Sequence, residues 1–142
     1  MIHPNRWRCR LRLGLCLGVI SLLVDMTSAH SEITVKDDSA NSITLTTPAK
    51  RIISLAPHIT ELLYAADSGN TVVGVSSWSD YPPEAKKLPV VADGSRLDLE
   101  RIIDLKPDVV ISWKGGSNAH QIQRLKSLGL TVFESEPRHF EE

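Results

Sequence analysis

Short apolar runs alternate with amphipathic segments through most of the chain. The runs predict buried strands at Arg51–Leu55, Val72–Val75, Asp108–Trp113 and Thr131–Phe133. Between them, apolar residues at helical spacing predict three helices: Pro57–Ala66 with Ile59, Leu62, Leu63 and Ala66 inward, Leu97–Leu105 with Leu99, Ile102, Ile103 and Leu105 inward, and Asn118–Gly129 with Ile122, Leu125 and Leu128 inward. Near-continuous apolar strands separated by helices are typical of an α/β fold. We expect a three-layer arrangement, a parallel sheet with helices on both faces.

Three loops of this fold are expected to lie together. Right-handed crossovers place every strand-to-helix loop at one edge of a parallel sheet, and ligands of open α/β sheets bind at that edge. The loops are Ala56–His58, Ser76–Ser95 and Lys114–Asn118. The middle loop spans about twenty residues, and long loops in compact domains are usually functional.

The first 29 residues read as a secretory signal peptide. Met1–Arg12 carries four arginines and no acid, Leu13–Val24 is uncharged and mostly apolar, and Thr27-Ser28-Ala29 offers small residues at a cleavage site. The alternative is an N-terminal membrane anchor. Cleavage after Ala29 would remove both cysteines, so the exported part would have no disulfide and no cysteine-based metal site. We therefore predict that the chain is exported, with residues 30–50 forming a hairpin extension before the main domain.

Composition limits the class of partner. The chain has 142 residues, of which 42% are hydrophobic, and its formal net charge is −1. The leader holds four of the 16 basic and one of the 17 acidic residues, so the remainder has a net charge of −4. Without a basic excess to neutralise phosphates, no nucleic-acid partner is expected. The length suits one globular domain.

The aromatic residues are concentrated at the predicted loop edge. Trp78 and Trp113 fall at or beyond the carboxyl ends of strands, and Tyr81 follows three residues after Trp78. Such rings can form an apolar wall for a large planar ligand, and Gly115 allows a close backbone approach. The alternatives are that the rings pack under their own loop, that Trp113 simply completes its strand, and that Gly115 belongs to a tight turn.

Catalytic motifs are missing from the same loops. There is no phosphate-binding glycine motif and no nucleophile elbow, so we expect a binding protein without a cofactor or metal site rather than an enzyme. A small enzyme or nucleotide-binding domain on a similar sheet is the alternative from another class. His58 could be an axial haem ligand or a packing residue. Glu100 is either a helix-terminal charge or an acidic contact for a basic partner.

Four segments resemble the periplasmic substrate-binding proteins that serve ABC importers for cobalamin, haem and iron–siderophores: Ile53–Leu62, Val73–Pro83, Leu99–Val110 and Ile111–Asn118. The Ser-x-Ser-Asp-Tyr-Pro-Pro and Trp-x-Gly-Gly motifs are most similar to the cobalamin-binding members. The resemblance runs from about Arg51 to Val132, and it implies two α/β lobes that hold the ligand between them. Residues 51–142 would then be the first lobe, cut short before the second.

The resemblance also implies roles for individual residues. Trp78 and Trp113 fall at positions that touch the ligand in the family, with Tyr81 and Gly115 beside them, and Glu100 falls on a glutamate that pairs with an arginine of the permease. Gly94 stands where the cobalamin-binding members have a further tryptophan. The expected function is capture of cobalamin or a related corrinoid for an ABC importer. A haem or iron–siderophore binder of the same fold, with Tyr64, Tyr81 or His58 as axial ligand, is the alternative.

Overall fold

A computed structural model describes residues 32–94 and 96–136 of the chain. Its strands are Ile33–Lys36 (β1), Ser42–Leu45 (β2), Ile52–Ser54 (β3), Val72–Ser76 (β4), Val90–Asp93 (β5), Arg96–Leu97 (β6), Val109–Trp113 (β7) and Val132–Ser135 (β8). Its α-helices are Pro57–Ala65 (α1), Leu99–Asp104 (α2) and Ala119–Ser127 (α3), and 3₁₀ turns cover Gly69–Thr71 and Pro83–Lys87. The predicted leader lies outside the described residues, as do positions 137–142, so the leader and the domain bounds remain predictions.

Six strands form one sheet in the order β6-β5-β4-β3-β7-β8. β3, β4, β5, β7 and β8 are parallel to one another, and β6 pairs antiparallel with β5 at one edge. The predicted α/β class with a parallel sheet is confirmed, and the antiparallel edge strand is an addition that the sequence pattern did not indicate.

Helices cover both faces of the sheet. Ile53 of β3 packs in one core with Ile102 of α2 and Leu125 of α3, and all three are fully buried. The next residue, Ser54, points to the other face, because its hydroxyl lies 2.9 Å from the Thr60 hydroxyl of α1. The predicted three layers are thus present, with α1 on one face and α2 and α3 on the other.

The predicted loop from Ser76 to Ser95 is wrong in part. Its second half contains the 3₁₀ turn Pro83–Lys87 and strand β5, whose Val91 and Ala92 are buried beside β4. β5 escaped prediction because it offers only three consecutive small apolar residues after a proline, which is too short for a periodic signal. The open loop therefore ends before Pro83.

Two predicted helical faces are also corrected. Helix α1 turns Ile59 and Thr60 inward, while Leu62 is 51% exposed and Ala66 is exposed. The burial of Thr60 follows from hydroxyl partners beneath it. Helix α2 begins at Leu99, since Leu97 belongs to β6. Leu99 packs against the core as predicted, whereas Ile103 and Leu128, also predicted to face inward, are exposed. Among the described residues, no helix is both long and apolar enough to cross a membrane.

The N-terminal strands β1 and β2 form an antiparallel hairpin whose turn contacts the end of β8. The Asp37 carboxylate accepts hydrogen bonds from the backbone N–H of Ser39 (2.9 Å) and from the backbone and side-chain N–H of Asn41 (2.8 and 3.0 Å). The Asp38 N–H donates to the Glu134 carbonyl (3.0 Å). Burial raises the pKa of Asp37, but these hydrogen bonds outweigh it and hold the pKa below the ordinary 3.8.

Candidate functional site

The sheet changes winding direction between its two central strands. β3 connects through α1 to β4 on one side, and β7 connects through α3 to β8 on the other. The turns that follow β3 and β7 therefore diverge and leave a crevice at the carboxyl edge, which is where open α/β sheets bind ligands.

A pocket of about 210 Å³ lies in this crevice. It is lined by Leu55, Ala56, Pro57, Ser76, Ser77, Trp78, Gly94, Leu97, Trp113, Gly116, Ser117, Asn118, Gln121 and Ile122. None of these lining residues, all within the described part of the chain, carries a charge. The pocket is thus apolar with hydroxyl and amide groups at its rim, a composition suited to an uncharged surface of a ligand.

Trp78 stands at the mouth of the pocket and is 81% exposed. Its backbone has a φ of 67°, in the left-handed region that side chains larger than glycine rarely adopt. Local hydrogen bonds fix the turn: the Ser77 N–H donates to the Ala92 carbonyl (2.7 Å) and the Ser79 N–H to the Ser76 carbonyl (3.3 Å). A strained backbone that carries an exposed indole is a feature of binding sites.

Trp113 ends β7 on the opposite wall of the same pocket and is 41% exposed. The His58 and Trp113 rings form a T-shaped pair, with ring centroids 5.3 Å apart and an interplanar angle of 87°. His58 Nε2 is buried and has no hydrogen-bond partner among the described residues. His58 therefore packs behind Trp113 instead of lining the pocket, and this arrangement fixes the plane of the indole.

The glycine pair after β7 accommodates Trp113. A Cβ at Gly116 would overlap Cε3 and Cζ3 of the indole, and a Cβ at Gly115 would stand 3.1 Å from Trp113 Nε1. Gly116 lines the pocket and Gly115 does not. The close backbone approach predicted here thus serves the tryptophan ring in this structure, and a contact of Gly115 with ligand remains a prediction.

Tyr81 and Glu100 lie outside the pocket. Tyr81 is 67% exposed and is not among the lining residues. Glu100 is exposed in the first turn of α2, where it borders a shallow groove next to β5 and β6. The neighbouring Asp98 caps α2 by accepting a hydrogen bond from the Arg101 N–H (3.0 Å), so Asp98 has a structural role. The proposed roles of Tyr81 and Glu100 stay predictions.

Sequence reasoning missed the amide side of the pocket. Gln121 lines it from the first turn of α3, and Gln121 Oε1 is buried without a hydrogen-bond partner among the described residues. Asn118 also lines it, while its Oδ1 accepts from the His120 N–H (3.0 Å) as the predicted cap. The signal that could have found Gln121 was its position one helical turn after a cap at the loop edge.

Tyr64 lies far from the pocket. It lies near the carboxyl end of α1 and contacts Gly69, at the opposite edge of the sheet. Burial, with a smaller contribution from the negative charge of Glu84, raises the pKa of the Tyr64 phenol above 10.0. Tyr64 is not among the residues that line the pocket, so its position does not suit the axial role considered from the sequence. Within the described ranges, no cluster of three His, Cys, Asp or Glu side chains could hold a metal ion.

The fold and the pocket define an α/β lobe with an uncharged crevice, lined by tryptophan and amide side chains, at the carboxyl edge of its sheet. The chain belongs to the periplasmic binding protein family, whose model matches residues 52–142. This membership confirms the predicted resemblance. It also confirms that the family of this chain consists of binding proteins rather than enzymes.

Two curated relatives of the chain are named vitamin B12-binding protein. The vitamin B12-binding protein of Vibrio cholerae serotype O1 is 45% identical over 95 residues, which are 67% of this chain and 34% of that protein. The vitamin B12-binding protein of Yersinia pestis is 46% identical over 94 residues, which are 66% of this chain and 34% of that protein. The chain spans about a third of the length of the curated relatives it matches.

Two solved structures extend the comparison. The periplasmic vitamin B12-binding protein of Vibrio cholerae superposes with a TM-score of 0.62 at 46% identity, covering 64% of this chain and 36% of that one. The periplasmic haem-binding protein from Roseiflexus sp. RS-1 superposes with a TM-score of 0.57 at 34% identity, covering 62% and 34%. Both solved structures share the fold of the lobe described above over about a third of their own length.

Proposed function

We propose that this chain provides a cobalamin- or corrinoid-binding lobe of the periplasmic component of an ABC importer. The observation that carries the proposal is that Trp78 and Trp113 line one open, uncharged pocket at the carboxyl edge of the sheet. The names of the relatives point to the same ligand. Cobalamin is the transported ligand, and the lobe needs no cofactor of its own.

The chemistry of the pocket favours a corrinoid over haem. A corrin ring carries neutral amide groups on its rim, whereas haem carries two propionate carboxylates. The buried Oε1 of Gln121 has no hydrogen-bond partner among the described residues, and a carbonyl oxygen accepts, so it is complementary to an amide N–H of the ligand. No basic residue lines the pocket, among the residues described, to pair with a propionate.

Ligand titration tests the proposal. Cyanocobalamin is added to the isotopically labelled chain up to several millimolar, and the indole N–H signals of Trp78 and Trp113 are followed by NMR. We expect both signals to shift with a dissociation constant near 1 mM. Trp78→Ala, followed through Trp113, should weaken binding about tenfold, because one stacked ring is worth about 1–3 kcal/mol. Leu62→Ala, an exposed apolar residue of α1 outside the pocket, is the matched control.

Two outcomes would contradict the proposal. One is the absence of any indole shift at the highest cyanocobalamin concentration. The other is equal affinity for the wild-type chain and Trp78→Ala, both followed through the Trp113 signal. Tyr81→Ala in the same titration shows whether that ring reaches the ligand from outside the lining.

Haem binding is the second candidate, favoured by the likeness to the Roseiflexus haem-binding protein. Its iron would need an axial ligand, and His58 is a candidate because its ring contacts that of Trp113. Haemin is added to the chain and to His58→Ala, and the Soret band is recorded. A shifted Soret band that His58→Ala abolishes would support haem. We expect no His58-dependent shift, because His58 Nε2 is buried behind Trp113.

We propose that Glu100 docks the lobe on the permease. Its carboxylate is exposed, and no ion pair joins it to another described residue. Glu100→Gln should weaken binding to the permease reconstituted in nanodiscs, while cyanocobalamin shifts stay unchanged. Asp104→Asn, at the carboxyl end of the same helix, is the control. Equal docking of both variants would leave Glu100 only as a charge at the helix start.

Export to the periplasm through the leader at residues 1–29 is part of the proposal. It is supported by the periplasmic family to which the chain belongs. Expression in a Gram-negative host followed by fractionation and N-terminal sequencing tests it. A new N-terminus at His30 in the periplasmic fraction is expected, and an uncleaved membrane-bound chain would favour the anchor.

A further inference from the structure

Four buried hydroxyl groups form a connected chain beneath the turn that carries Trp78. Ser54, Thr60, Ser76 and Ser79 are all buried, and we call them the hydroxyl chain. Thr60 Oγ1 lies 2.9 Å from Ser54 Oγ and 3.2 Å from Ser79 Oγ, and Ser79 Oγ lies 3.2 Å from Ser76 Oγ. The hydroxyl chain ends at the Ala56 carbonyl, to which the Ser54 hydroxyl donates (3.0 Å).

Thr60 is the centre of this chain. It belongs to α1, Ser54 belongs to β3, and Ser79 belongs to the turn after β4, so one hydroxyl links helix, sheet and turn. Buried hydroxyls of this kind cost free energy unless each finds a partner, and a satisfied network fixes one geometry. The hydroxyl chain therefore specifies where the turn sits relative to the pocket.

Trp78 lies in the sequence between Ser76, at the end of β4, and Ser79, both of which belong to the hydroxyl chain. Its left-handed backbone is unfavourable for a tryptophan, and its indole is too exposed for packing to offset that cost. The stabilisation must come from the turn itself: the Asp80 N–H donates to the Trp78 carbonyl (2.9 Å), and Ser79 is anchored by Thr60. The backbone of Trp78 is thus fixed through the hydrogen bonds of the adjacent Ser79.

We infer that Thr60 and Ser79 are positioning residues that hold Trp78 in its binding orientation before ligand arrives. They touch no lining surface of the pocket themselves. The consequence for ligand affinity rests on the function proposed above, whereas the placement of Trp78 does not. Preorganisation of this kind lowers the ordering cost of binding, so its loss reduces affinity without removing a ligand contact.

The test uses fluorine NMR of the full chain labelled with 5-fluorotryptophan. The chain contains three tryptophans, whose resonances are assigned with single Trp→Phe variants. Thr60→Val keeps the side-chain shape and removes the hydroxyl, and Thr60→Ser restores the hydroxyl. Ser112→Ala is the matched control, because Ser112 is equally buried in the sheet but its Oγ has no hydrogen-bond partner among the described residues.

We expect Thr60→Val to shift or broaden the Trp78 resonance and to leave Trp113 in place. Its cyanocobalamin affinity should fall about fivefold, the value of one ordinary hydrogen bond. Thr60→Ser should restore both readouts, and Ser112→Ala should change neither. Ser79→Ala, which alters only the turn, is judged by the same criteria and decides the case if Thr60→Val does not fold.

A Trp78 resonance that coincides with wild type in both Thr60→Val and Ser79→Ala would overturn the inference. Equal changes at Trp78 and Trp113 would do so too, because they indicate a general loss of packing. If wild type binds no cyanocobalamin but Trp78 still moves in Thr60→Val, the proposed function fails and the positioning role stands.

Discussion

Replacing Gly116 with alanine tests whether the position of the Trp113 ring controls ligand binding. Gly116 does not have a left-handed backbone, so alanine introduces no backbone strain. Its Cβ would overlap Cε3 and Cζ3 of Trp113 and stand 3.0 Å from Cδ2. In a close-packed environment the ring must move by about 1 Å or more to relieve this overlap.

Two energies follow from that displacement. The edge-on contact with His58, at 5.3 Å between centroids, is weakened, and such aromatic contacts contribute about 0.5–1.5 kcal/mol. We therefore expect the free energy of unfolding to fall by about 1 kcal/mol. The stacking of Trp113 on the ligand should lose a similar free energy, which corresponds to a fivefold to tenfold weaker affinity for cyanocobalamin.

The assay combines thermal unfolding with the NMR titration of the Trp78 indole, which reports binding from the opposite wall. Gly115→Ala is the control, because its Cβ would meet Trp113 Nε1 at 3.1 Å and a shift of a few tenths of an ångström relieves it. Its affinity should stay within about twofold of wild type. The reasoning is refuted if Gly116→Ala moves the Trp113 signal and yet binds as wild type does, or if the two variants behave alike.

Substitutions at three further positions test the fold that supports the site. Asp37→Ala should lower the free energy of unfolding by about 2 kcal/mol at pH 7. Since the folded pKa of Asp37 lies below 3.8, the extra stability of wild type over this variant is fully present above that pH and is lost as pH falls through the folded pKa. A stability difference that grows in acid would contradict this. Asn118→Ala should cost about 1 kcal/mol in urea unfolding and Asn118→Ser much less, because both backbone N–H groups that Asn118 caps lose their acceptor only in alanine. Gly74→Ala should cost about 1–3 kcal/mol in the same assay, because its Cβ would stand 2.9 Å from Leu105 Cδ1; an unchanged midpoint would show that the core there is loosely packed.

Periodicity sufficed for the elements that are long or buried. The strands at β3, β4, β7 and β8 and the cap at Asn118 were predictable, because apolar runs and cap residues act locally. Strand β5 was not, since three apolar residues become a strand only through pairing with β4. The inward burial of Thr60 was equally hidden, because it depends on hydroxyl partners contributed by other elements.

The candidate site was predictable in part for the same reason. Topology places the ends of parallel strands at one edge, so Trp78 and Trp113 could be assigned to it from the sequence. Gln121 and the packing of His58 behind Trp113 depend on side-chain directions in the assembled lobe. Tyr81 was grouped with Trp78 by proximity along the chain, yet the sharp turn after Trp78 leaves it outside the lining.

The exposed rings also set the affinity that this lobe can supply. A planar ligand bound as proposed would cover one face of the exposed Trp78 and part of Trp113, roughly 150 Å² of protein, and would lose about as much surface itself. At about 25 cal/mol per Å² this burial is worth roughly 7 kcal/mol, and association costs at least about 4 kcal/mol. The difference, with one hydrogen bond to Gln121, corresponds to a dissociation constant near 1 mM. Tight capture of a tetrapyrrole therefore requires a second surface that covers the opposite face of the ligand while Trp78 and Trp113 hold the first.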